Sequence, residues 1–407
     1  VGSNALAAVG ASSSMIYLLI AFSQGAAVGA GVIVAQYLGA RDKKSVSDAV
    51  HTSLVIAGIL GIVLTIAGIV LSRQLLEWMR TPEEVMEQAV TYFRLYSAGM
   101  FFGIVYNMAA GILNAAGNSK RSLLYLAVAS FTNIVLDILF IAILDMGVAG
   151  AAIATDISQA VSCILSMAFL MRVKDSYQVS LKKLKIHRRI AGSMIRVGLP
   201  TGIQNMVISL SNVLVQTSVN GFGAAAMAGY TAYLKVDGFN ILPVMSFSMA
   251  VTTFAGQNYG AGNYDRVKKG MYVTLAMGFV YTVLTGALLL TFDDQIMGMF
   301  SRDAEVITCG KLAMKYFCPF YFILSILHGL SGALRGVGKS IPPMVVLLLS
   351  LCVFRIFWIW LVLPHFSTIE GVYLLYPVSW ALGAVMIIIY ACTAKWLPAG
   401  RQQGKVR

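Results

Sequence analysis

The stretch SLLYLAVASFTNIVLDILFIAIL occupies residues 122–144 and contains a single acidic or basic side chain, Asp137. Its length is close to the ~20 apolar residues that an α-helix needs to cross a bilayer. A water-soluble fold would have to hide almost all of this apolar surface, although its own surface must face water. The stretch therefore predicts a transmembrane helix.

The rest of the 407-residue chain repeats this apolar pattern. Hydrophobic residues make up 58% of the sequence and charged residues only 12%, whereas a soluble domain is about 25% charged. Barrel strands would alternate polar and apolar residues over ~10 positions, which excludes an outer-membrane barrel. The fold class is therefore an all-α polytopic membrane protein. We predict eleven spans, at 12–35, 49–71, 91–115, 122–144, 148–171, 196–220, 230–256, 270–292, 311–334, 341–363 and 371–394.

The sequence has a net charge of +13, and its basic residues are unevenly distributed among the loops. Most of the 30 Lys and Arg residues, including Arg401, Lys405 and Arg407, fall in loops on one side of the predicted helices. The opposite loops contain only Arg73, Arg80 and Arg302. Such a bias marks the cytoplasmic side of a membrane protein. We therefore expect no nucleic-acid partner, a cytoplasmic C-terminus and Val1 on the outer side.

The sequence repeats itself at a constant spacing. The matching pairs are Gln36 and Gln257, Gly39 and Gly260, Ala40 and Ala261, Gly111 and Gly332, and Gly117 and Gly338. A parallel duplication of this kind predicts two six-helix lobes. We assign residues 1–171 to the N-terminal lobe, 172–195 to a basic cytoplasmic linker and 196–407 to the C-terminal lobe. Helix 196–220 has no counterpart before Val1, so we expect eleven helices to be present and the first to be missing.

Polar side chains on two neighbouring helices predict a cation site. Asn133 precedes Asp137 by four residues, which places both on one helix face. Asp137 and Thr155 each lie seven residues from helix ends that one tight turn joins, so both lie ~10 Å deep. A carboxylate, an amide and a hydroxyl at one depth suit Na⁺, and the carboxylate equally suits a proton. Hydrogen bonding between the two helices is the alternative.

Further polar side chains within the spans predict a hydrated substrate cavity. Acidic groups at membrane depth are costly and commonly mark a pathway, but an ion pair near a helix end is the alternative for Asp156 and Asp237. The candidate cavity residues are Asn107, Ser130, Gln159, Asn205, Asn212, Gln216 and Asp237.

No pattern in the sequence supports an enzyme or a resident cofactor. The five cysteines are scattered without a CxxC pair, and the four histidines form no metal spacing. Residues 332–340 resemble a phosphate-binding loop, but the glycine spacing is one residue too long and no strand is predicted before it. We expect no metal site and no cofactor apart from a coupling ion, Na⁺ or H⁺.

Taken together and in order, several motifs resemble the multidrug and toxic compound extrusion (MATE) family. They are Gln36-Tyr-Leu-Gly-Ala40, Asn133-Ile-Val-Leu-Asp137, Gly147-Val-Ala-Gly-Ala-Ala-Ile-Ala-Thr155, Gly198-Leu-Pro200 and Gly256-Gln-Asn-Tyr-Gly-Ala261. The resemblance implies two lobes that open alternately to the two sides of the membrane. It also implies antiport, with Na⁺ or H⁺ entering as an organic, often cationic, compound leaves.

The same resemblance implies a cation site in the N-terminal lobe. The family uses an Asp of its first helix, an Asn and an Asp of the fifth, and a Thr of the sixth; Asn133, Asp137 and Thr155 match the last three. We expect the first-helix Asp to be absent with its helix. The expected partners are the lipid bilayer and small organic substrates, with the protein a monomer in the cell membrane. A flippase for lipid-linked precursors and a non-transporting membrane scaffold are the alternatives.

Overall fold

The computed structural model of the chain describes residues 3–79 and 81–398, with side chains described from Ala7 onward except that of Ser14. Several residues of the charge analysis lie outside this range: Val1, Arg80, Arg401, Lys405 and Arg407. The described part of the chain is almost entirely helical and contains no strand.

Five long helices form the first half of the fold. They are α1 (Ser3–Gly39), α2 (Lys43–Trp78), α3 (Glu83–Ala115), α4 (Ser119–Asp137) and α5 (Gly147–Arg172). Asp42 caps α2, because its carboxylate accepts hydrogen bonds from the Ser45 hydroxyl at 2.6 Å and from the Ser45 backbone N–H at 3.0 Å. These bonds lower the pKa of the Asp42 carboxyl. Helix α4 continues beyond Asp137 as a π-helical segment, Ile138–Ile143.

The second half begins with a helix that has no equivalent among the described residues of the first half, and its later helices are interrupted. The helices are α6 (Arg188–Asn220), α7 (Ala224–Gly260), α8 (Tyr264–Thr291), the short α9 (Asp293–Gly298), α10 (Ala304–Phe317), α11 (Tyr321–Gly336), α12 (Ile341–Leu348), α13 (Phe354–Phe357) and α14 (Glu370–Thr393). A 3₁₀ turn joins α10 to α11, and π-helical segments at Leu349–Val353 and Trp358–Val362 flank α13.

Ten helical segments of the described chain are long and apolar enough to cross a bilayer. They correspond to ten of the eleven predicted spans, with α10 and α11 forming one span and α12 to His365 another. The remaining prediction, 196–220, is helical within α6, but α6 does not reach the same apolarity because it carries the polar stripe that includes Asn205, Asn212 and Gln216. The predicted all-α polytopic class is confirmed.

The duplication in the sequence is also present in the fold. Helix α7 begins and ends 221 residues after α1, and the α10–α11 segment begins and ends 221 residues after α3. The turn after α1 has Arg41 at a φ of 58°, and the matching turn after α7 has Gly262 at 74°. Gly117 and Gly338 likewise take matching φ angles of 77° and 85°. The two halves therefore share one helix plan down to their turn conformations.

Close helix contacts are duplicated as well. A Cβ atom added to Gly111 of α3 would lie 2.7 Å from the carbonyl oxygen of Ala27 in α1. A Cβ added to Gly332 of α11 would lie 2.5 Å from the carbonyl oxygen of Ser248 in α7. Only glycine allows backbones to approach this closely, as is common where helices pack in membranes.

The chain divides into two compact units, Val1–Ile203 and Gln204–Arg407. The first has a core of fully buried side chains that includes Phe93, Met108, Leu113 and Leu170. The segment predicted as a linker, 172–195, packs with this unit, and its Tyr177 and Val179 belong to the same core. The core of the second unit centres on aromatic residues, Phe317, Tyr321 and Tyr373.

Candidate cation and substrate site

One face of α3 combines tyrosines, glycines and an amide. Tyr92, Tyr96, Gly99, Gly103 and Asn107 follow one another at intervals of three or four residues, which places them along a single helix face. Tyr92 and Tyr96 are buried, with their rings 6.1 Å apart. This face lies opposite α5.

The two glycines of α3 leave space for two polar side chains of α5. A Cβ at Gly99 would lie 2.5 Å from the Cβ of Asp156, and a Cβ at Gly103 would lie 3.0 Å from the Cδ of Gln159. The Gln159 amide also donates a hydrogen bond to the Tyr96 hydroxyl at 3.4 Å. Polar groups are thereby packed between two helices at membrane depth.

Beside this contact lies a cavity of about 260 Å³ within the first unit, lined by both polar and apolar side chains. Its polar lining consists of Ser23, Tyr96, Tyr106, Asn107, Ser130, Asn133, Thr155, Ser158, Gln159 and Ser162. The Asn107 amide donates a hydrogen bond to the Ser23 hydroxyl at 3.4 Å. The Thr155 hydroxyl donates to the carbonyl of Ala151, so its oxygen lone pairs stay available as acceptors. The structure thus brings five predicted site residues together: Asn107, Ser130, Asn133, Thr155 and Gln159.

Asp137 lies one helical turn beyond the cavity lining and directly before the π-helical end of α4. Its Oδ1 atom and the Nδ2 atom of Asn133 are buried without a hydrogen-bond partner within the described protein. One carboxylate oxygen of Asp156 is buried in the same way. The buried part of the site thus contains two carboxyl groups and one amide with unused hydrogen-bonding capacity.

Neither carboxyl group belongs to an ion pair of the described chain. The ion pairs that the structure contains lie at helix ends and loops, such as Arg73 with Glu87 and Lys311 with Asp294. A buried charge without a partner costs several kcal/mol, so such a group is held neutral or binds a counterion. The arrangement around Asp137 and Asp156 therefore suits a proton or a small cation.

The other predicted cavity residues lie in the second unit and do not line this cavity. Asn212 is exposed, and the Gln216 amide donates to the side-chain oxygen of Asn220 at 3.0 Å. Asn205 is half-buried, while the buried hydroxyls of α6 belong to Thr201 and Ser211, which are not among the predicted cavity residues. Asp237 accepts hydrogen bonds from two tyrosines. The predicted set therefore separates into two groups on different units.

Three residues near the site are absent from the predicted set: Asp156, Tyr92 and Tyr96. The spacing of Tyr92 and Tyr96 with Asn107 was a usable signal, because the three residues share one face of α3. Asp156 is an acid within a predicted span, but its contact with Gly99, 57 positions away in the sequence, could not be predicted. The described residues contain no group of three or more His, Cys, Asp or Glu side chains that could hold a metal ion.

The fold and the site define a class of protein: a duplicated, polytopic helical membrane protein with a polar cavity among the helices of its first half. Residues 1–139 and 200–361 match the family described as MatE. This match covers well over half of the chain, and the chain belongs to that family.

Named relatives extend over most of the chain. The sequence is 28% identical to the probable multidrug resistance protein YoeA of Bacillus subtilis over 407 residues, covering 96% of this chain and 86% of that protein. It is 29% identical to the probable multidrug resistance protein YpnP of the same organism over 354 residues, covering 87% and 79%. The fold is similar to the crystal structure of MATE in the bent conformation, with a TM-score of 0.89 and 25% identity over 96% of this chain and 87% of that one.

Proposed function

We propose that the protein exports organic, often cationic, compounds across the cell membrane in exchange for Na⁺ or H⁺. Membership of the MatE family and the names of YoeA and YpnP as multidrug resistance proteins support the substrate class. The polar cavity of the first unit supports the exchange of a small cation. The charge bias of the loops supports a cytoplasmic C-terminus.

The proposed coupling of export to Na⁺ or H⁺ rests on one observation. The Oδ1 atom of Asp137 and the Nδ2 atom of Asn133 are buried one helical turn apart and have no hydrogen-bond partner within the described protein. Leaving such atoms unpaired in a stable fold costs about 1–3 kcal/mol each. A bound cation or proton on Asp137 removes part of this cost, and the hydroxyl of Thr155 adds an oxygen ligand from α5.

Exchange requires that the two ligands stabilise different conformations. A cation on Asp137 and a substrate in the cavity then compete through a shared equilibrium, although they need not occupy the same atoms. The cavity lining supports substrate binding here, since Asn107, Ser130 and Gln159 offer hydrogen bonds and Tyr96 offers an aromatic ring. Aromatic faces attract organic cations.

The test is efflux of a cationic dye from proteoliposomes with an imposed Na⁺ or pH gradient. Asp137→Asn removes the charge and keeps the size of the side chain, and we expect at least a tenfold loss of gradient-driven efflux. Asp145→Asn is the matched control, because Asp145 lies on the exposed turn between α4 and α5 and its φ of 49° is one that Asn adopts readily.

The two gradients identify the coupling ion, since only the coupled one drives efflux. Wild-type efflux by the Asp137→Asn variant would contradict the role of Asp137. The alternatives give different results in the same vesicles: a flippase moves labelled lipid without either gradient, and a scaffold moves neither dye nor lipid.

A further inference from the structure

The second unit contains a half-buried carboxyl group that the proposed coupling site does not use. Asp237 of α7 accepts a hydrogen bond from the Tyr321 hydroxyl of α11 at 2.7 Å and one from the Tyr233 hydroxyl at 3.2 Å. The two hydroxyl oxygens are 2.6 Å apart. Both tyrosines are buried, with 1% of Tyr321 and 3% of Tyr233 exposed. Three oxygens thus form a closed triangle that joins α7 to α11.

A second polar contact lies next to this triangle. The hydroxyls of Tyr230 and Tyr376 are 2.5 Å apart, and the guanidinium of Arg355 lies 4.4 Å from the centre of the Tyr376 ring. Arg355 also donates to the hydroxyls of Ser211 and Ser379. It makes no ion pair with a carboxylate of the described chain. Tyr230 and Tyr376 therefore separate Arg355 from Asp237. The positive charge of Arg355 does not neutralise Asp237 directly.

The side chains that face Asp237 are tyrosines and a cysteine. They are Tyr230 and Tyr233 on α7 itself, Cys318 and Tyr321 from the α10–α11 segment, and Tyr376 from α14. Tyr281 of α8 lies about one turn further along α7, where its hydroxyl donates to the carbonyl of Asn240. None of these side chains can supply a positive charge. Within the described part of the chain, Asp237 has no charged partner that would hold it permanently ionised.

The triangle can satisfy its hydrogen bonds in both protonation states. When Asp237 is ionised, its oxygen accepts from both hydroxyls. When Asp237 is protonated, the acid donates to Tyr233, Tyr233 donates to Tyr321, and Tyr321 donates back to Asp237 around the three oxygens. Because no group of the triangle is unpaired in either state, titration breaks no hydrogen bond. The loss of hydrogen bonds is what makes a buried polar group costly.

The geometry also selects the ion. A metal cation needs several oxygen lone pairs that point at it, whereas Asp237 is approached by hydrogen-bond donors. This differs from Asp137, whose buried Oδ1 atom has no hydrogen-bond partner within the described protein. The chemistry around Asp237 therefore favours a proton over Na⁺.

We propose that Asp237 is a second ion site of this protein, one that binds and releases a proton, and that Tyr233 and Tyr321 set its proton affinity. The proposal that Asp237 binds a proton rests only on contacts within the second unit. Its effect on efflux rests on the proposed function. The closing experiment therefore measures the two properties separately.

Proton binding is measured by infrared pH-difference spectroscopy of the purified protein in lipid, which records the carbonyl band of each protonated carboxylic acid. We expect Asp237→Asn to remove one band, because the amide keeps the size of the side chain and still accepts both hydroxyl bonds. Asp137→Asn should leave that band in place. A spectrum that Asp237→Asn leaves unchanged over the titrated range would overturn the proposal.

The tyrosines provide a second, conservative test. Tyr321→Phe removes the shorter bond to the carboxylate and so disfavours its ionised form, and we expect the midpoint of the Asp237 band to move up by about one pH unit. Tyr281→Phe is the control, because the Tyr281 hydroxyl donates to the Asn240 carbonyl and not to Asp237 within the described chain, and it should leave the midpoint in place. An unchanged midpoint in both Tyr321→Phe and Tyr233→Phe would overturn the role of the tyrosines.

Dye efflux at a series of pH values connects the site to transport. We expect Asp237→Asn to flatten the pH dependence of efflux, whereas a purely structural defect would lower efflux equally at every pH. An unchanged pH profile together with a lost infrared band would separate the proton site from transport. Absence of efflux in the wild-type protein would contradict the proposed function and leave the infrared result standing.

Discussion

The Nε2 atom of His51, in α2, accepts a hydrogen bond at 3.0 Å from the backbone N–H of Ser180, in the segment between α5 and α6. The Nδ1 atom of His51 lies 2.7 Å from the carbonyl oxygen of Ser47, so Nδ1 carries the proton and the ring is neutral. The neighbouring Thr52 hydroxyl accepts from the backbone N–H of His187 at 3.2 Å. Two adjacent residues of α2 therefore hold the connecting segment at two points.

His51→Ala removes one of these points and should release the segment around Ser180. Because Lys182, Lys183 and Lys185 follow directly, we expect trypsin to cleave there several-fold faster in the folded variant. His365→Ala serves as the control, since His365 lies on an exposed turn of the second unit. Cleavage rates that match the wild type in both variants would show that His51 does not hold the segment.

The contact between Gly99 and Asp156 makes a prediction about packing. Gly99→Ala places a methyl group against the Asp156 side chain between α3 and α5, and overpacking of this kind costs about 1–3 kcal/mol. We expect a lower melting temperature for the purified protein in detergent. Gly58→Ala is the control, because nothing lies within 4 Å of its added Cβ and alanine favours a helix more than glycine does. Equal melting temperatures would mean that α3 and α5 pack more loosely than their contact indicates.

The fold could be predicted from the sequence because a bilayer requires each spanning helix to have a minimum apolar length. Each apolar run longer than about 20 residues could be assigned to a helix, and the 221-residue repeat then ordered these helices into halves. The docking of segment 172–195 on α2 was not accessible. It depends on His51 and Thr52 meeting residues more than 120 positions away, and no periodicity encodes such a pairing.

The candidate site was accessible only where its residues share one helix or two neighbouring ones. Asn133, Thr155 and Gln159 met this condition, and the structure places all three at one cavity. The sequence identifies Asp237 as an acid within a span, but it does not identify the two tyrosines that donate hydrogen bonds to it. Tyr233 is one turn away and Tyr321 is 84 positions away, so their convergence depends on how α7 packs against α11.

The matching turns after α1 and α7 predict a stabilising substitution. Arg41 has a φ of 58°, a conformation that costs a residue with a side chain roughly 1 kcal/mol and that glycine adopts freely. The equivalent position in the other half is Gly262, at 74°. We expect Arg41→Gly to raise the melting temperature and Gly262→Ala to lower it. The opposite order would show that the Arg41 side chain makes a stabilising contact outweighing the backbone strain.

Arg355 makes the last prediction, because it is a buried positive charge without a carboxylate partner in the described chain. Its hydrogen bonds go to the hydroxyls of Ser211 and Ser379, which also donate to the carbonyl oxygens of Leu351 and Tyr376. Arg355→Met removes the charge together with its burial cost and leaves both hydroxyls paired, so we expect a loss of at most about 1 kcal/mol.

Arg355→Lys should be worse, although it keeps the charge. An ammonium group cannot reproduce the planar fork that reaches two hydroxyls while lying over the Tyr376 ring, and a hydrogen bond to a charged group contributes about 1.5–3 kcal/mol. The expected order of melting temperatures is therefore wild type, then Arg355→Met, then Arg355→Lys. A lysine variant that melts above the methionine variant would show that the positive charge itself stabilises the second unit, and that its compensation extends beyond the two serines and the aromatic ring.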